Sequence, residues 1–164
     1  MSEPRRVVIV GLGGVGSWLA DAFGRVLNIS APDSHLVLVD GDHFEAKNVS
    51  RQNFTKYGNK AKSVAGDLIE KLDSVLIVPK AAWVVHSEVA DAEAEDETGI
   101  SYITAESLLQ DGDVLFTCVD NMQARKLLFD AAAKLDNIDV FDGGNEDDGF
   151  GSSYYYSRRD GADV

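Results

Sequence analysis

The sequence predicts a Rossmann-like α/β fold, a doubly wound and mostly parallel sheet with helices on both faces. Three observations carry that expectation. A β-branched run, Arg6-Val-Val-Ile-Val10, ends in the glycines of Gly11-Leu-Gly-Gly-Val-Gly16. Apolar residues then recur at helical spacing, and extended and helical patterns keep alternating along the rest of the chain. With 164 residues and 45% hydrophobic content, the chain suits one domain, over residues 1–164, around a single core.

The first strand, residues 6–10, is apolar throughout, as a parallel strand covered on both faces must be. Val15, Leu19, Ala22, Phe23 and Val26 then place a helix over residues 15–27, directly after the glycine turn. His35-Leu-Val-Leu-Val-Asp40 is the second strand and closes a βαβ unit. Ala61, Val64, Ala65, Leu68, Ile69 and Leu72 share one face of a helix over 59–72, and 75–79 is a third strand. A helix over 104–109, a strand over 113–119, a helix over 121–135 and a strand over 138–141 continue the alternation. Ser153-Tyr-Tyr-Tyr156 reads as a last strand, at an edge or interface.

Residues 86–99 interrupt this rhythm with Glu88, Asp91, Glu93, Glu95, Asp96 and Glu97. Such a charge block has no face to bury and reads as an exposed loop, an acidic insertion over about 87–99. Fifteen Lys and Arg against 28 Asp and Glu leave a formal charge of -13, which repels nucleic acid and anionic lipid. Arg158-Arg159 reads as a solvated chain end. No apolar run approaches the roughly 20 residues of a membrane span, and Met1 to Arg6 leads into a strand without a signal-peptide core, so a cytoplasmic protein is expected. The single cysteine, Cys118, excludes an internal disulfide and a Cys-based zinc site, and reads as a small buried hydrophobe. His35, His43 and His86 lack metal-ligand spacing.

The glycine loop carries the first chemistry. Gly11 permits a tight turn, Gly13 lets backbone approach a phosphate, and Gly16 lets the helix pack closely on the strand, while the helix N-terminus presents N–H groups to an anion. Asp40 closes the second strand 24 residues beyond Gly16, where a carboxylate can accept hydrogen bonds from a ribose. Together these point to a nucleotide.

Further residues separate a triphosphate from a dinucleotide. A pyrophosphate is largely satisfied by a helix N-terminus, whereas a triphosphate with Mg²⁺ needs added cations and a metal-holding carboxylate. Asp40-Gly-Asp42, Asn48-Val-Ser-Arg51-Gln52 and Asn59-Lys60-Ala61-Lys62 form a local polar and basic cluster in an acidic chain.

The ordered series G-x-G-G-V-G-S, D-x-D, N-x-x-R-Q and a following Lys resembles the adenylation domain shared by ThiF-like sulfur-carrier activators and ubiquitin-activating enzymes. The match extends to Cys118-Val-Asp120-Asn121 with Arg125 one turn later, and to Asp142-Gly-Gly-Asn145 followed by Gly149-Phe-Gly151. The resemblance implies ATP- and Mg²⁺-dependent adenylation of the C-terminal carboxylate of a small ubiquitin-like or sulfur-carrier protein. It implies that Gly11, Gly13, Gly14, Gly16, Ser17, Asp40, Asp42 and Asn121 belong to the nucleotide site, with Asp40 on the ribose. Asn48, Arg51 and Gln52 would contact phosphates, Lys60 or Lys62 would neutralise the reacting phosphate, and Asp120 would help bind Mg²⁺. Arg51, Lys60 and Asp120 are the expected catalytic residues, and a homodimer or heterodimer is implied.

Conjugating relatives add a catalytic cysteine beyond the last glycine motif, and many prokaryotic relatives add two C-x-x-C pairs. Cys118 alone matches neither, so activation is the furthest expected step. Two alternatives stand beside it: a non-catalytic or truncated nucleotide-binding relative acting as scaffold or partner subunit, and an NAD(P)-binding oxidoreductase domain. The latter leaves Arg51, Gln52 and Asp120 unexplained.

Overall fold

In a computed structural model, which describes residues 2–92, 95–145 and 151–164, the expected α/β architecture forms around one sheet. The βαβ unit consists of β1 (Arg6–Val10), α1 (Gly16–Ser30) and β2 (His35–Val39). A 3-10 turn (Ala46–Asn48) precedes α2 (Lys60–Ile69) and β3 (Leu76–Lys80). Then come β4 (Ala82–Val84), α3 (Ser87–Ala92), β5 (Ser101–Ile103) and α4 (Ala105–Leu108). β6 (Asp113–Thr117), α5 (Met122–Ala132), β7 (Ile138–Asn145), β8 (Gly151–Arg159) and β9 (Ala162–Asp163) complete the chain.

Seven strands form the main sheet in the order β3-β2-β1-β6-β7-β8-β9. The pairs from β3 through β7 are parallel, and β8 and β9 add antiparallel strands at one edge. Alternation along each strand divides the core. Val7, Ile9, Leu36 and Leu38 join the cluster beneath α1 and α2, whereas Val8, Val10, Val37 and Val39 join the cluster beneath α4 and α5. Burying each such aliphatic side chain stabilises the fold by about 1.5–3 kcal/mol, so both helical layers are held by strong, non-directional packing. The strand order reverses between β1 and β6, and a cleft opens at the carboxyl ends of strands at such a reversal. Among the described residues no helix is long and apolar enough to cross a membrane.

Three expectations change. The acidic block over residues 86–99 is not all loop, because Ser87–Ala92 forms α3, with Glu88 complementing the partial positive charge of its first turn. Beyond α3 an Asp96 turn orders the chain: the Asp96 carboxylate accepts from the Thr98 and Ile100 backbone N–H groups. The helix and its flanking segment bridge β4 and β5, which pair in parallel as a separate two-stranded sheet. The Arg158-Arg159 pair is no free chain end. Arg159 reaches Asp139 at 2.8 Å and Arg158 reaches Asp163 at 3.1 Å, tying β8 to its two neighbours. The tyrosine strand is longer than 153–156 and runs Gly151–Arg159, with only its last residues covered by β9.

Candidate functional site

A cleft of about 660 Å³ lies at the switch point, lined by the glycine loop, the end of β2, the segment from Asp42 to Gln52, Lys60, β4 and the loop after β6. Its floor is the glycine turn. Gly11 has φ +90°, and a Cβ there would lie 2.7 Å from the Cys118 carbonyl oxygen. A Cβ on Gly16 would lie 1.9 Å from the Gly11 carbonyl oxygen, so Gly16 is buried by close packing within the loop and does not line the cleft. Gly13 and Gly14 do line it, and a Cβ on Gly13 would meet nothing within 4 Å. The N-cap of α1, Val15, supplies no side-chain cap; the Ser17 and Leu19 N–H groups bond back to the Gly13 and Val15 carbonyls, and those of Gly16 and Trp18 have no backbone partner among the described residues.

Asp40 is 9% exposed, and its two carboxylate oxygens accept from the Leu12 N–H at 2.7 Å and the Asp42 N–H at 2.8 Å. Burial pushes this carboxyl above its ordinary range even though those N–H bonds and Lys60 favour the charged form. The side chain thereby fixes the glycine loop to the chain leaving β2. Asp42 pairs with Lys60 at 2.7 Å. Partial burial works against the charged Asp42, but the Lys60 ammonium and the His43 N–H outweigh it and hold the carboxyl below its ordinary range. Lys60 is itself buried at the start of α2 and lines the cleft, whereas Lys62 is exposed and stands outside it. Of the two candidate lysines, the fold brings only Lys60 to the site.

Asn48, Arg51 and Gln52 all reach the cleft. The Asn48 side-chain carbonyl accepts from the Glu45 N–H, closing a capping box around the 3-10 turn. Arg51 is exposed and forms none of the ion pairs found among the described residues. Gln52 is buried, and its Oε1 has no hydrogen-bond partner among the described residues, so a buried acceptor on the cleft wall awaits a donor.

On the opposite wall Asp120 is exposed, and Asn121 caps α5 by accepting from the Gln123 and Ala124 N–H groups. A largely buried network supports this loop. Arg125 donates to the Val119 carbonyl and to Asp142 at 2.8 Å each, and Thr117 donates to the other Asp142 oxygen. Gly144 makes room for the guanidinium, since a Cβ there would overlap Arg125 Nη2.

Ser17 departs from expectation. It is fully buried, its hydroxyl donating to the Gly13 carbonyl and accepting from the Asn53 N–H, and it does not line the cleft. The motif spacing located it beside the phosphate loop but carried no information on which way its hydroxyl turns. The sequence also concealed Ala82, Trp83 and Val84 of β4, which complete the wall near Asp40. The Trp83 indole lies 2.3 Å from where a Gly41 Cβ would stand, which explains the glycine between Asp40 and Asp42. An aromatic following the third strand was the one available signal. Trp83 is 43% exposed and offers a flat apolar surface to a ligand. The Cys118 thiol, half-buried beneath Gly11 on the cleft lining, is pushed up to about 12, first by burial and then by Asp142, which disfavours its thiolate at neutral pH.

A glycine turn, an uncapped helix start and a strand-end acid at the reversal of a doubly wound sheet define a Rossmann-like α/β protein with a cleft at its switch point. The particular family is also defined: the ThiF family model matches residues 3–153, and the chain belongs to the ThiF family. The adenylyltransferase and sulfurtransferase uba4 of Aspergillus niger is 31% identical over 130 residues, 79% of this chain and 23% of that protein. The fold resembles E. coli MccB with ATP, at 18% identity and TM-score 0.58 over 86% of this chain and 37% of that one. It also resembles MccB with MccA, at 18% identity and TM-score 0.63 over 93% and 41%. E. coli tRNA N6-threonylcarbamoyladenosine dehydratase, TcdA, gives TM-score 0.53 at 22% identity over 83% and 50%. The chain thus spans about a quarter of the fungal relative's length and half or less of these structures' chains.

Proposed function

We propose that this chain is an ATP-binding, adenylate-forming domain that activates the C-terminal carboxylate of a small ubiquitin-like or sulfur-carrier protein. One observation carries the proposal: Gly13, Gly14, Asp40, Arg51, Gln52, Lys60 and Asp120, drawn from five separated segments, line a single cleft. The carboxylate oxygen of the carrier attacks the α-phosphate, the bond to pyrophosphate breaks, and an acyl-adenylate and pyrophosphate result. Two anions must approach in that step, and fixed cations relieve their repulsion.

Arg51 offers a planar fork and Lys60 a compact ammonium, two complementary ways of meeting phosphate oxygens. Asp42 holds Lys60 in place until a phosphate competes for it. Gln52 Oε1 supplies a buried acceptor, and the Trp83 and Val84 wall beside Asp40 suits a base next to a ribose. Among the described residues no three His, Cys, Asp or Glu side chains cluster for a metal. Mg²⁺ bound with a triphosphate ordinarily takes one or two carboxylates plus phosphate oxygens, a donor set that Asp120 at the cleft mouth fits. Bound there, Mg²⁺ would supply charge neutralisation for the leaving pyrophosphate.

The relatives support the reading, since uba4 is an adenylyltransferase by name and an MccB structure contains ATP. The test is carrier-dependent pyrophosphate exchange into ATP, with small proteins ending in Gly-Gly as candidate carriers. Exchange is expected to fall by at least a hundredfold in Arg51→Ala or Asp120→Ala; undiminished exchange in either variant would refute the role of that residue. A second reading, a nucleotide-binding scaffold, is separated from the first by the same assay. ATP binding without exchange across a carrier panel would select it.

A further inference from the structure

We propose that the first turn of α1 is a positioning device for Arg51, acting through Ser17 and Trp18. This role rests on the ATP-site reading of the cleft and falls to two residues that do not line it. Arg51 and Gln52 sit on a segment without regular secondary structure between the 3-10 turn and α2. An exposed arginine on such a segment would sweep a wide volume, and restricting it before a ligand arrives removes an ordering cost from binding. Two hydrogen bonds cross from α1 to do this. Ser17 Oγ accepts from the Asn53 N–H at 3.0 Å, and Trp18 Nε1 donates to the Arg51 carbonyl at 3.2 Å. They grip the backbone on both sides of Gln52 and leave the Arg51 guanidinium without an ion pair among the described residues.

The same hydroxyl of Ser17 donates to the Gly13 carbonyl at 2.6 Å. Ser17 therefore couples the glycine loop to the Arg51 segment through one fully buried oxygen, using both its donor and its acceptor capacity. The backbone also closes over the loop, with the Arg51 carbonyl oxygen only 3.7 Å from where a Gly14 Cβ would lie. Trp18 is 57% exposed, so burial of its ring does not account for its place, whereas its indole N–H has a definite acceptor. Both walls of the phosphate subsite thus share one rigid origin, the N-terminal turn of a 15-residue helix.

The experiment has two independent readouts on the full chain. In nucleotide-free protein, amide exchange is followed at residues 51–53 in wild type, Ser17→Ala and Trp18→Phe. Faster exchange there, with α2 amides unchanged, is expected in both variants; unchanged exchange overturns the positioning role whatever the ligand. Affinity is then measured for ATP with Mg²⁺ and for adenosine. Trp18→Phe is expected to weaken ATP about fivefold, the loss of one net hydrogen bond, and Ser17→Ala, which loses two, by more than that, with adenosine held within twofold in both. In an Arg51→Ala background, Trp18→Phe is expected to add nothing. Equal weakening of ATP and adenosine, or additive loss in the double variant, would overturn the proposal. Trp18→Phe keeps an aromatic ring at a position that is 57% exposed and is expected to fold even where Ser17→Ala does not. Wild-type protein that exchanges as expected but binds no ATP would remove the ATP-site reading, and a role toward phosphate with it.

Discussion

At the scale of single residues, the glycines of one motif divide into two kinds. Gly16 is demanded by the fold, because any side chain would overlap the Gly11 carbonyl, whereas Gly13 faces open cleft. Gly16→Ala is therefore expected to destabilise by more than about 3 kcal/mol through overpacking, read as a lowered urea midpoint. Gly13→Ala is expected to change stability by less than about 0.5 kcal/mol while weakening ATP at least tenfold, since its methyl would occupy the ligand's space. Equal stability losses would erase the distinction. The sequence motif already assigned Gly16 to close packing and Gly13 to the approach of a ligand, and the structure adds the contact that Gly16 answers to, 1.9 Å from its Cβ position to the Gly11 carbonyl oxygen. Cys118 gives a second residue-scale test. Its raised pKa means the folded state keeps the proton that the unfolded thiol loses, so the stability it contributes is fully present below pH 9 and is lost between pH 9 and about 12. The Tm advantage of wild type over Cys118→Ala should shrink as pH rises through that window, and iodoacetamide should fail to label the native thiol at pH 7.5. Labelling at the rate of a free thiol would contradict the burial.

At the scale of elements, β1 and β2 were legible because both of their faces are covered and Val7–Val10 and Leu36–Val39 run apolar and buried without a break. Helices α1 and α2 were legible because each buries one stripe. What escaped notice is short or held by polar side chains: β4, β5, β9 and the 3-10 turn carry no periodicity, and α3 was hidden by its charge. The expectation for Gly149 and Phe150 lies outside the described residues. The loops at the cleft are set by side-chain bonds between elements, which no local pattern encodes. The Arg125, Asp142 and Thr117 network joins α5, β7 and β6, with the Arg125 and Asp142 side chains only 12% and 9% exposed. Asp142→Asn leaves Arg125 a largely buried, unneutralised cation and is expected to destabilise by about 3 kcal/mol, at the lower end for a broken buried pair. Because Arg125 also holds the Val119 carbonyl, the variant should weaken Mg²⁺·ATP more than adenosine by disturbing Asp120. Loss of stability with no such preference would confine the network to a structural role.

At the scale of the molecule, the site exists because strand order reverses between β1 and β6, parting the loops that follow them. The connection that follows β2 brings Arg51 and Lys60 to the cleft, and the loop that follows β6 brings Asp120, in a chain of formal charge -13. Such a molecule repels polyanions at a distance, yet holds local cations at the cleft within a Debye length of roughly 8 Å at physiological salt, which under the proposed function would meet a small triphosphate. A dinucleotide would use the glycine loop and Asp40 but leave Arg51, Gln52 and Asp120 idle. The two ligands therefore predict different footprints. In amide exchange, ATP with Mg²⁺ should protect the glycine loop, residues 40–60 and residues 118–121, and leave β8 and β9 unchanged. NADH should protect at most the glycine loop and the end of β2, and excess ATP should displace it. If NADH instead protected all three segments and resisted ATP, the cleft would belong to an oxidoreductase, and the cations around it would need another explanation.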